Sequence, residues 1–200
     1  IMAGDGTVLA ETQVDADGNE TRVYYYGSVF DHAVGYSAKG KTGIEALANF
    51  YLLTSHVNLL EQVGNELSGR KNPGDNVYTT LDAEVQQAAY AALGDRKGVV
   101  IAMEPDTGKV LAMVSKPGYD PNTLLQDWDW LTDGGNGEGQ LLNRATQGLY
   151  PPGSTFKIVT ALEYMREHPG GYRDYQFDCS GVYVNGDYRI KCYHLSLIHI

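Results

Sequence analysis

The sequence predicts an α+β fold in two modules. Three observations carry that prediction. Polar and apolar residues alternate around tight-turn residues near both ends of the chain, long stretches repeat apolar residues at helical spacing, and a breaker cluster, SGRKNPGDN at 68–76, separates two of those stretches. The 200 residues, 42% of them hydrophobic, can build one large core or two small ones. A net charge of −10 argues against nucleic acid or an anionic membrane surface as partner, because both need basic patches. No apolar run reaches the ~18 residues of a membrane span, and no signal peptide is present. The chain starts at Ile1 and not at a methionine, so an upstream segment, with any membrane anchor it carries, is expected to be missing.

Taken in order, DGTVLAETQVDADGNETRVYYY alternates around Asp17-Gly18-Asn19 and predicts a hairpin. In GIEALANFYLLTSHVNLLEQVGNEL, Ile44, Leu47, Ala48, Tyr51, Leu52, Leu59, Leu60 and Val63 predict helix, interrupted around Ser55 to Asn58. TTLDAEVQQAAYAALG predicts a helix whose apolar face is Leu81, Val85, Ala88, Ala89 and Ala92, with Gly94 at its C-terminal stop. GVVIAME and KVLAMVS predict two strands joined by a Pro-Asp-Thr-Gly turn; both are nearly continuously apolar, so both faces should be covered. Residues 116–140 are expected to form a loop. A helix follows from the stretch YPPGSTFKIVTALEY, ending near HPGG at 168–171, and a last hairpin spans YQFDCSGVYV-NG-DYRIKCYH.

The chemistry concentrates in YPPGSTFK. Gly153 permits a tight entry, the prolines fix the approach, and Ser154 falls in the first turn of a helix. Lys157, at i+3, lies beside it on the same face. Backbone N–H groups and the dipole at a helix N-terminus stabilise an alkoxide or oxyanion. A lysine buried there loses part of its preference for the charged form and can act as a base. Phe156, Ile158, Val159, Ala161, Leu162, Tyr164 and Met165 put apolar groups all round the axis, which predicts a buried helix. The pattern fits nucleophilic catalysis with lysine in place of histidine. Ser-x-x-Lys alone arises by chance about once in a chain of this size. A second copy, Ser68 to Lys71, indeed occurs, but it runs into Asn72-Pro73-Gly74, which stops any helix. A capping serine with a surface lysine is the alternative.

The longer segment LLNRATQGLYPPGSTFKIVTALEYMRE closely resembles the nucleophile segment of penicillin-binding proteins. VYTTLDAEVQQAAYAAL resembles the opening helix of their transpeptidase domain, and GVVIAMEPDTGKVLAMVSKPGYDPN its first two strands and the loop after them. IMAGDGTVLAET and VGYSAKGKTGIEALANFYLL look like the non-catalytic module that precedes that domain in the class B, monofunctional members. The resemblance implies residues 1–75 as an N-terminal pedestal or dimerisation-like module. Residues 76–194 would be the front part of a serine β-lactamase-like transpeptidase domain, an antiparallel sheet with helices on both faces. It also implies a peptidoglycan D,D-transpeptidase that cross-links stem peptides, with Ser154 as nucleophile and Lys157 as general base. β-Lactam antibiotics would acylate the same serine, and no metal or cofactor is required. The enzyme would sit at the cell membrane, with its catalytic domain on the extracytoplasmic side, and work with wall-synthesis partner proteins. The alternative is a β-lactam sensor, acylated without turnover; a β-lactamase fits less well, because such enzymes usually lack the first module.

The family's two later motifs, Ser-x-Asn and Lys-[Ser/Thr]-Gly, do not occur after Ser154. Lys41-Thr42-Gly43 spells the second but lies upstream, where it is expected to be a turn starting a helix. LSLIHI at 195–200 resembles translated adapter sequence and is expected to be non-native. The chain by itself is therefore expected to be inactive. A two-residue turn at Asn185-Gly186 would place Cys179 directly opposite Cys192 on a non-hydrogen-bonded pair, within reach of a disulfide; buried thiols are the alternative, and a metal site is poorly supported by two cysteines. His32, His56, His168, His194 and His199 show no ligand spacing. Trp128 and Trp130 are expected to anchor a loop more than to contact carbohydrate, and Asn143 and Arg144 to position the nucleophile segment.

Overall fold

The computed structural model describes residues 1–69, 71–133, 138–176 and 180–191, in two compact units, 1–149 and 150–200. In the first, β1 (Ala10–Val14) and β2 (Glu20–Tyr24) form the expected hairpin, paired antiparallel from Ala10 with Tyr24 to Val14 with Glu20. Its turn is held by Asp15, whose carboxylate accepts the N–H groups of Asp17 (2.9 Å) and Asn19 (2.8 Å), while Gly18 takes φ +84°. Four short helices follow: α1 (Asp31–Val34), α2 (Gly43–Leu47), α3 (Asn49–Leu53) and α4 (Leu59–Leu67). The break between α3 and α4 lies where the periodicity lapses. Of the apolar positions in that helical repeat, only Ile44, Ala48 and Leu52 reach the core; Leu47, Leu59 and Leu60 stand in solvent.

The core gathers Ile1, Leu9, Phe30, Val34 and Leu81. Leu81 fills it from just before α5 (Ala83–Leu93), not from the helix face. Asp82 caps α5, its carboxylate accepting from Glu84 N–H and Val85 N–H (both 2.9 Å), and Gly94 ends it at φ +57°. β3 (Gly98–Met103) and β4 (Val110–Lys116) pair antiparallel, with α5 packed against both. Gln86 on α5 is fully buried and fully used. Its Nε2 donates to Val29 O (2.7 Å) and Met113 O (3.0 Å), and its Oε1 accepts from Met113 N–H (2.7 Å). Ala112 and Val114 are buried as expected, but Ile101 and Met103 are about half exposed. The β3 strand is therefore partly open: among the described residues the hairpin is a two-stranded sheet, with α5 and a later helix at Arg144–Gln147 packed against it.

The expected loop at 116–140 instead contains α6 (Leu124–Thr132). Leu124, Trp128 and Leu131, at i, i+4 and i+7, turn one face to Tyr36 and Tyr119. Trp128 meets Tyr36 edge-on at 6.2 Å and does anchor, whereas Trp130 is exposed. α7 (Arg144–Gln147) closes this unit.

In the second unit, a 3₁₀ turn (Gly153–Thr155) leads into α8 (Phe156–Glu167), which ends where the proline and glycines predict. α8 buries none of its side chains; Phe156, Ile158, Val159 and Leu162 are each more than half exposed, so the expected burial is not met. The closing hairpin pairs β5 (Val182–Asn185) with β6 (Tyr188–Lys191) in a register two positions from the expected one: Asn185 faces Tyr188 and Tyr183 faces Ile190. The loop is Gly186-Asp187. Gly186 takes φ +58° and Asp187 does not, which is the type II′ arrangement, with glycine first, in place of Asn-Gly type I′. The alignment that opposed Cys179 and Cys192 depended on the other register. Both cysteines, His194, His199 and the tail at 195–200 lie outside the described residues.

Candidate active site

Ser154 sits in the middle of the 3₁₀ turn that opens α8. Gly153 enters it at φ +56°, a value at which a side chain would be strained. The turn is closed by Thr155, whose N–H (3.2 Å) and hydroxyl (2.5 Å) both donate to Pro152 O. Three residues on, Lys157 lies in the first turn of α8. In a 3₁₀ turn running into an α-helix, positions i and i+3 share a face, so the serine and the lysine stand side by side at the positive end of the helix dipole. Both side chains are exposed, and no hydrogen bond joins them among the described residues. The burial that would favour a neutral lysine is thus not supplied by α8 and its own turn.

The segment leading to this turn is anchored in the first unit by polar groups that do not react. Asn143 caps α7, accepting from Ala145 N–H (3.0 Å), and donates through Nδ2 to His32 O on α1 (3.2 Å). Arg144 is buried, and its guanidinium is spent on backbone carbonyls: Gly139 (2.9 Å), Leu142 (3.4 Å), Pro117 (3.5 Å) and Glu138. Its own N–H donates to the buried Ser115 hydroxyl (3.0 Å), which in turn donates to Leu142 O (3.3 Å).

Beneath them lies a group that sequence reasoning missed. Asp31 is buried on α1, and its carboxyl accepts the N–H of Tyr119 (2.9 Å) and of His32 (2.6 Å). The Tyr119 hydroxyl donates back to Asp31 O (2.9 Å). Burial pushes the Asp31 carboxyl up to about 7, against the pull of those two N–H groups and of Lys116. Burial, and then the charge of Arg144, push His32 down to about 4. The carboxyl fits because residue 118 is glycine: a Cβ there would lie 1.9 Å from Asp31 Oδ2. Gly118→Ala is expected to lower stability by about 1–3 kcal/mol, the usual cost of overpacking, read as a drop in urea midpoint at unchanged slope. The signal available in the sequence was an aspartate inside the apolar run VFDHAVGY.

The remaining candidates lie elsewhere. Ser68 caps α4, its hydroxyl donating to Gly64 O (2.7 Å), and Lys71 pairs with Glu20 (2.7 Å). In Lys41-Thr42-Gly43, Thr42 is extended backbone at the N-terminus of α2 and Gly43 is the helix's first residue. His56 pairs with Asp75, and His168 stacks on Tyr164 at 4.3 Å. Among the described residues no cluster of three or more His, Cys, Asp or Glu could hold a metal, and no helix is long and apolar enough to cross a membrane.

Residues 98–195 match the penicillin binding protein transpeptidase domain, and residues 1–77 match the penicillin binding protein A dimerisation domain. The chain belongs to the penicillin-binding proteins, with the class B order of a dimerisation domain ahead of a transpeptidase domain. It is 37% identical over 176 residues to the peptidoglycan D,D-transpeptidase PbpA of Mycolicibacterium smegmatis, covering 80% of this chain and 35% of that one. To the peptidoglycan D,D-transpeptidase MrdA of Acinetobacter baumannii it is 32% identical over 192 residues, covering 78% and 27%. Among solved structures, the imipenem acyl-enzyme complex of penicillin-binding protein A from M. tuberculosis superposes with a TM-score of 0.79 at 31% identity, covering 95% of this chain and 47% of that one. The D,D-transpeptidase domain of a peptidoglycan glycosyltransferase from Eggerthella lenta gives 0.76 at 33% identity, covering 95% and 42%. The chain thus spans about a third of the length of these curated relatives and under half of these solved chains.

Proposed function

We propose that this chain is the front part of a peptidoglycan D,D-transpeptidase that works through an acyl-enzyme on Ser154. The observation that carries it is the placement of Ser154 and Lys157 one turn apart at the start of α8, in a chain of this family. The substrate is the D-Ala-D-Ala end of a stem peptide. Lys157, as general base, takes the proton from Ser154 Oγ as Oγ bonds to the penultimate D-Ala carbonyl carbon. The carbonyl oxygen becomes an oxyanion, and the Ser154 N–H is one of its donors. Collapse breaks the peptide C–N bond, and the proton passes to the leaving D-Ala nitrogen. An amine of a neighbouring stem peptide then attacks the ester, forms the cross-link and returns Ser154 to its hydroxyl. A β-lactam acylates the same oxygen by opening its ring. The M. tuberculosis relatives captured as imipenem, ceftriaxone and penicillin G acyl-enzymes support this part directly.

Residues 1–75 and 76–194 act as the non-catalytic module and the front of the transpeptidase domain, which the two matched ranges support. The reaction takes place on the extracytoplasmic side of the cell membrane. The 200 residues alone do not acylate at stoichiometric level: the apolar groups of α8 and the outer side of β3 stand open, and the two later motifs that would line the site are absent after Ser154. The test is labelled penicillin on a protein that carries this chain completed to the length of its relatives. Covalent label is expected; Ser154→Ala removes it, and Ser68→Ala leaves it. Full labelling of Ser154→Ala would exclude the nucleophile. Label without release of D-Ala from a stem pentapeptide would favour a sensor over an enzyme.

A further inference from the structure

Asp31 and His32 hold chemistry that the acylation does not use. The two carboxyl oxygens of Asp31 are engaged separately: Oδ1 accepts His32 N–H (2.6 Å) and Oδ2 accepts Tyr119 N–H (2.9 Å). His32 Nε2 lies 3.9 Å from the same Oδ2, buried and without a hydrogen-bond partner among the described residues. That distance is about 1 Å too long for a hydrogen bond, and an ionised carboxylate has no proton to give. A protonated carboxyl does. With neutral His32 carrying its proton on Nδ1, Nε2 is an acceptor. Turning Oδ2 toward it satisfies a buried group that costs stability while unpaired, and takes Oδ2 off the Tyr119 amide. One proton thus selects between two arrangements of the same side chains.

The choice reaches the segment before the nucleophile. Tyr119 stands two residues past Pro117, whose carbonyl accepts from the Arg144 guanidinium (3.5 Å), and Arg144 opens α7. His32 O reaches the same helix through Asn143 Nδ2 (3.2 Å). Ser154 follows the last residue of α7, Gln147, by seven positions. The other charged or titratable groups facing Asp31 are Lys116 at the end of β4, Tyr119 and Asp120 in the loop after it, and Tyr90 on α5; Arg144 on α7 faces His32. Glu45 on α2 is taken up by Arg22 (2.7 Å). Burial pushes both tyrosines up, away from neutral pH.

We propose that Asp31 and His32 form a proton-operated latch: ionised Asp31 holds the Tyr119 amide and keeps α7 set for acylation, whereas protonated Asp31 turns to His32 Nε2 and lets that amide go. Asp31 is a positioning residue in this role. The effect on acylation rests on Ser154 as nucleophile; the movement of the latch does not. The latch engages as pH rises through the Asp31 midpoint at about 7.

The test uses the protein completed to the length of its relatives and labelled with ¹⁵N-tyrosine, with the Tyr119 signal assigned by its loss in Tyr119→Phe. The Tyr119 amide proton is expected to move downfield as pH rises, about one midpoint at about 7. His32→Phe keeps a ring against Tyr119 but removes the acceptor, and is expected to lower that midpoint by about one pH unit, the worth of one hydrogen bond. The limiting acylation rate at saturating penicillin G, divided by that of Asp31→Asn, is expected to rise about two- to tenfold across the same midpoint, with the non-covalent dissociation constant unchanged. The ratio cancels every titration the two proteins share. A Tyr119 amide that does not titrate near neutral pH, a midpoint unmoved by His32→Phe, or a flat ratio overturns the latch. If the unmodified protein takes no penicillin, the nucleophile assignment fails, and the amide titration still decides the latch. If Asp31→Asn does not fold, the amide titration and His32→Phe decide it.

Discussion

In a protein carrying this chain at its relatives' full length, Lys157→Ala is expected to slow penicillin acylation by about 10²–10⁴-fold, the usual contribution of a general base. Thermal unfolding of the variant is measured alongside, so that a loss of fold is not counted as the loss of a base; among the described residues Lys157 makes no hydrogen bond or ion pair that its truncation would break. The residual rate should rise with pH as hydroxide replaces the lost base. Lys157→Arg should not rescue it, since a guanidinium stays protonated. The measurement is the second-order acylation rate from stopped-flow or gel-resolved label. A Lys157→Ala protein acylating within threefold of the unmodified rate would remove lysine from the mechanism and leave the helix terminus as the only activation of Ser154.

The second large effect concerns Asp31 and His32. Asp31 rises from 3.8 to about 7 on folding, and His32 falls from 6.5 to about 4. Between pH 4 and 6.5 the folded pair holds its proton on Asp31, and the unfolded pair holds it on His32. The proton count is the same, so the pair adds no pH dependence in that window. Single substitutions unmask opposite slopes. With Asp31→Asn only His32 remains: the unfolded state binds the extra proton, and stability falls as pH drops from 6.5 to 4, by about 3 kcal/mol at 1.36 kcal/mol per pKa unit. With His32→Gln only Asp31 remains: the folded state binds the extra proton, and stability falls as pH rises from 4 to 7, by about 4 kcal/mol. Urea unfolding across pH 4–7, each variant taken as a difference from the unmodified protein, checks both. Two slopes of the same sign would contradict a folded state that holds Asp31 protonated and His32 neutral.

Much of this was legible before any coordinates. The hairpin at Asp17-Gly18-Asn19, the cap and stop of α5 at Asp82 and Gly94, and the start of α8 at Ser154 are all local signals, and each appears where its residues put it. α6 was missed because glycines and aspartates flank it and Thr123 makes no side-chain cap; the spacing of Leu124, Trp128 and Leu131 was the available clue. The last hairpin slipped because two turn types compete at Asn185-Gly186-Asp187, and strand pairing, not propensity, selects Gly186 as the first turn residue. Asp31 could not be read because Tyr119 is 88 residues away in sequence. The apolar faces of α8 and β3 predict burial that the described residues do not provide.

The nucleophile is tested most directly by fragment mass spectrometry of the completed protein after brief exposure to penicillin G. The peptide containing Tyr150 to Lys157 is expected to carry one intact drug mass, with fragment ions locating it on Ser154 and none on Thr155. Adduct on another peptide, or on Ser68 or Thr155 with Ser154 unmodified, would contradict the assignment of the active site.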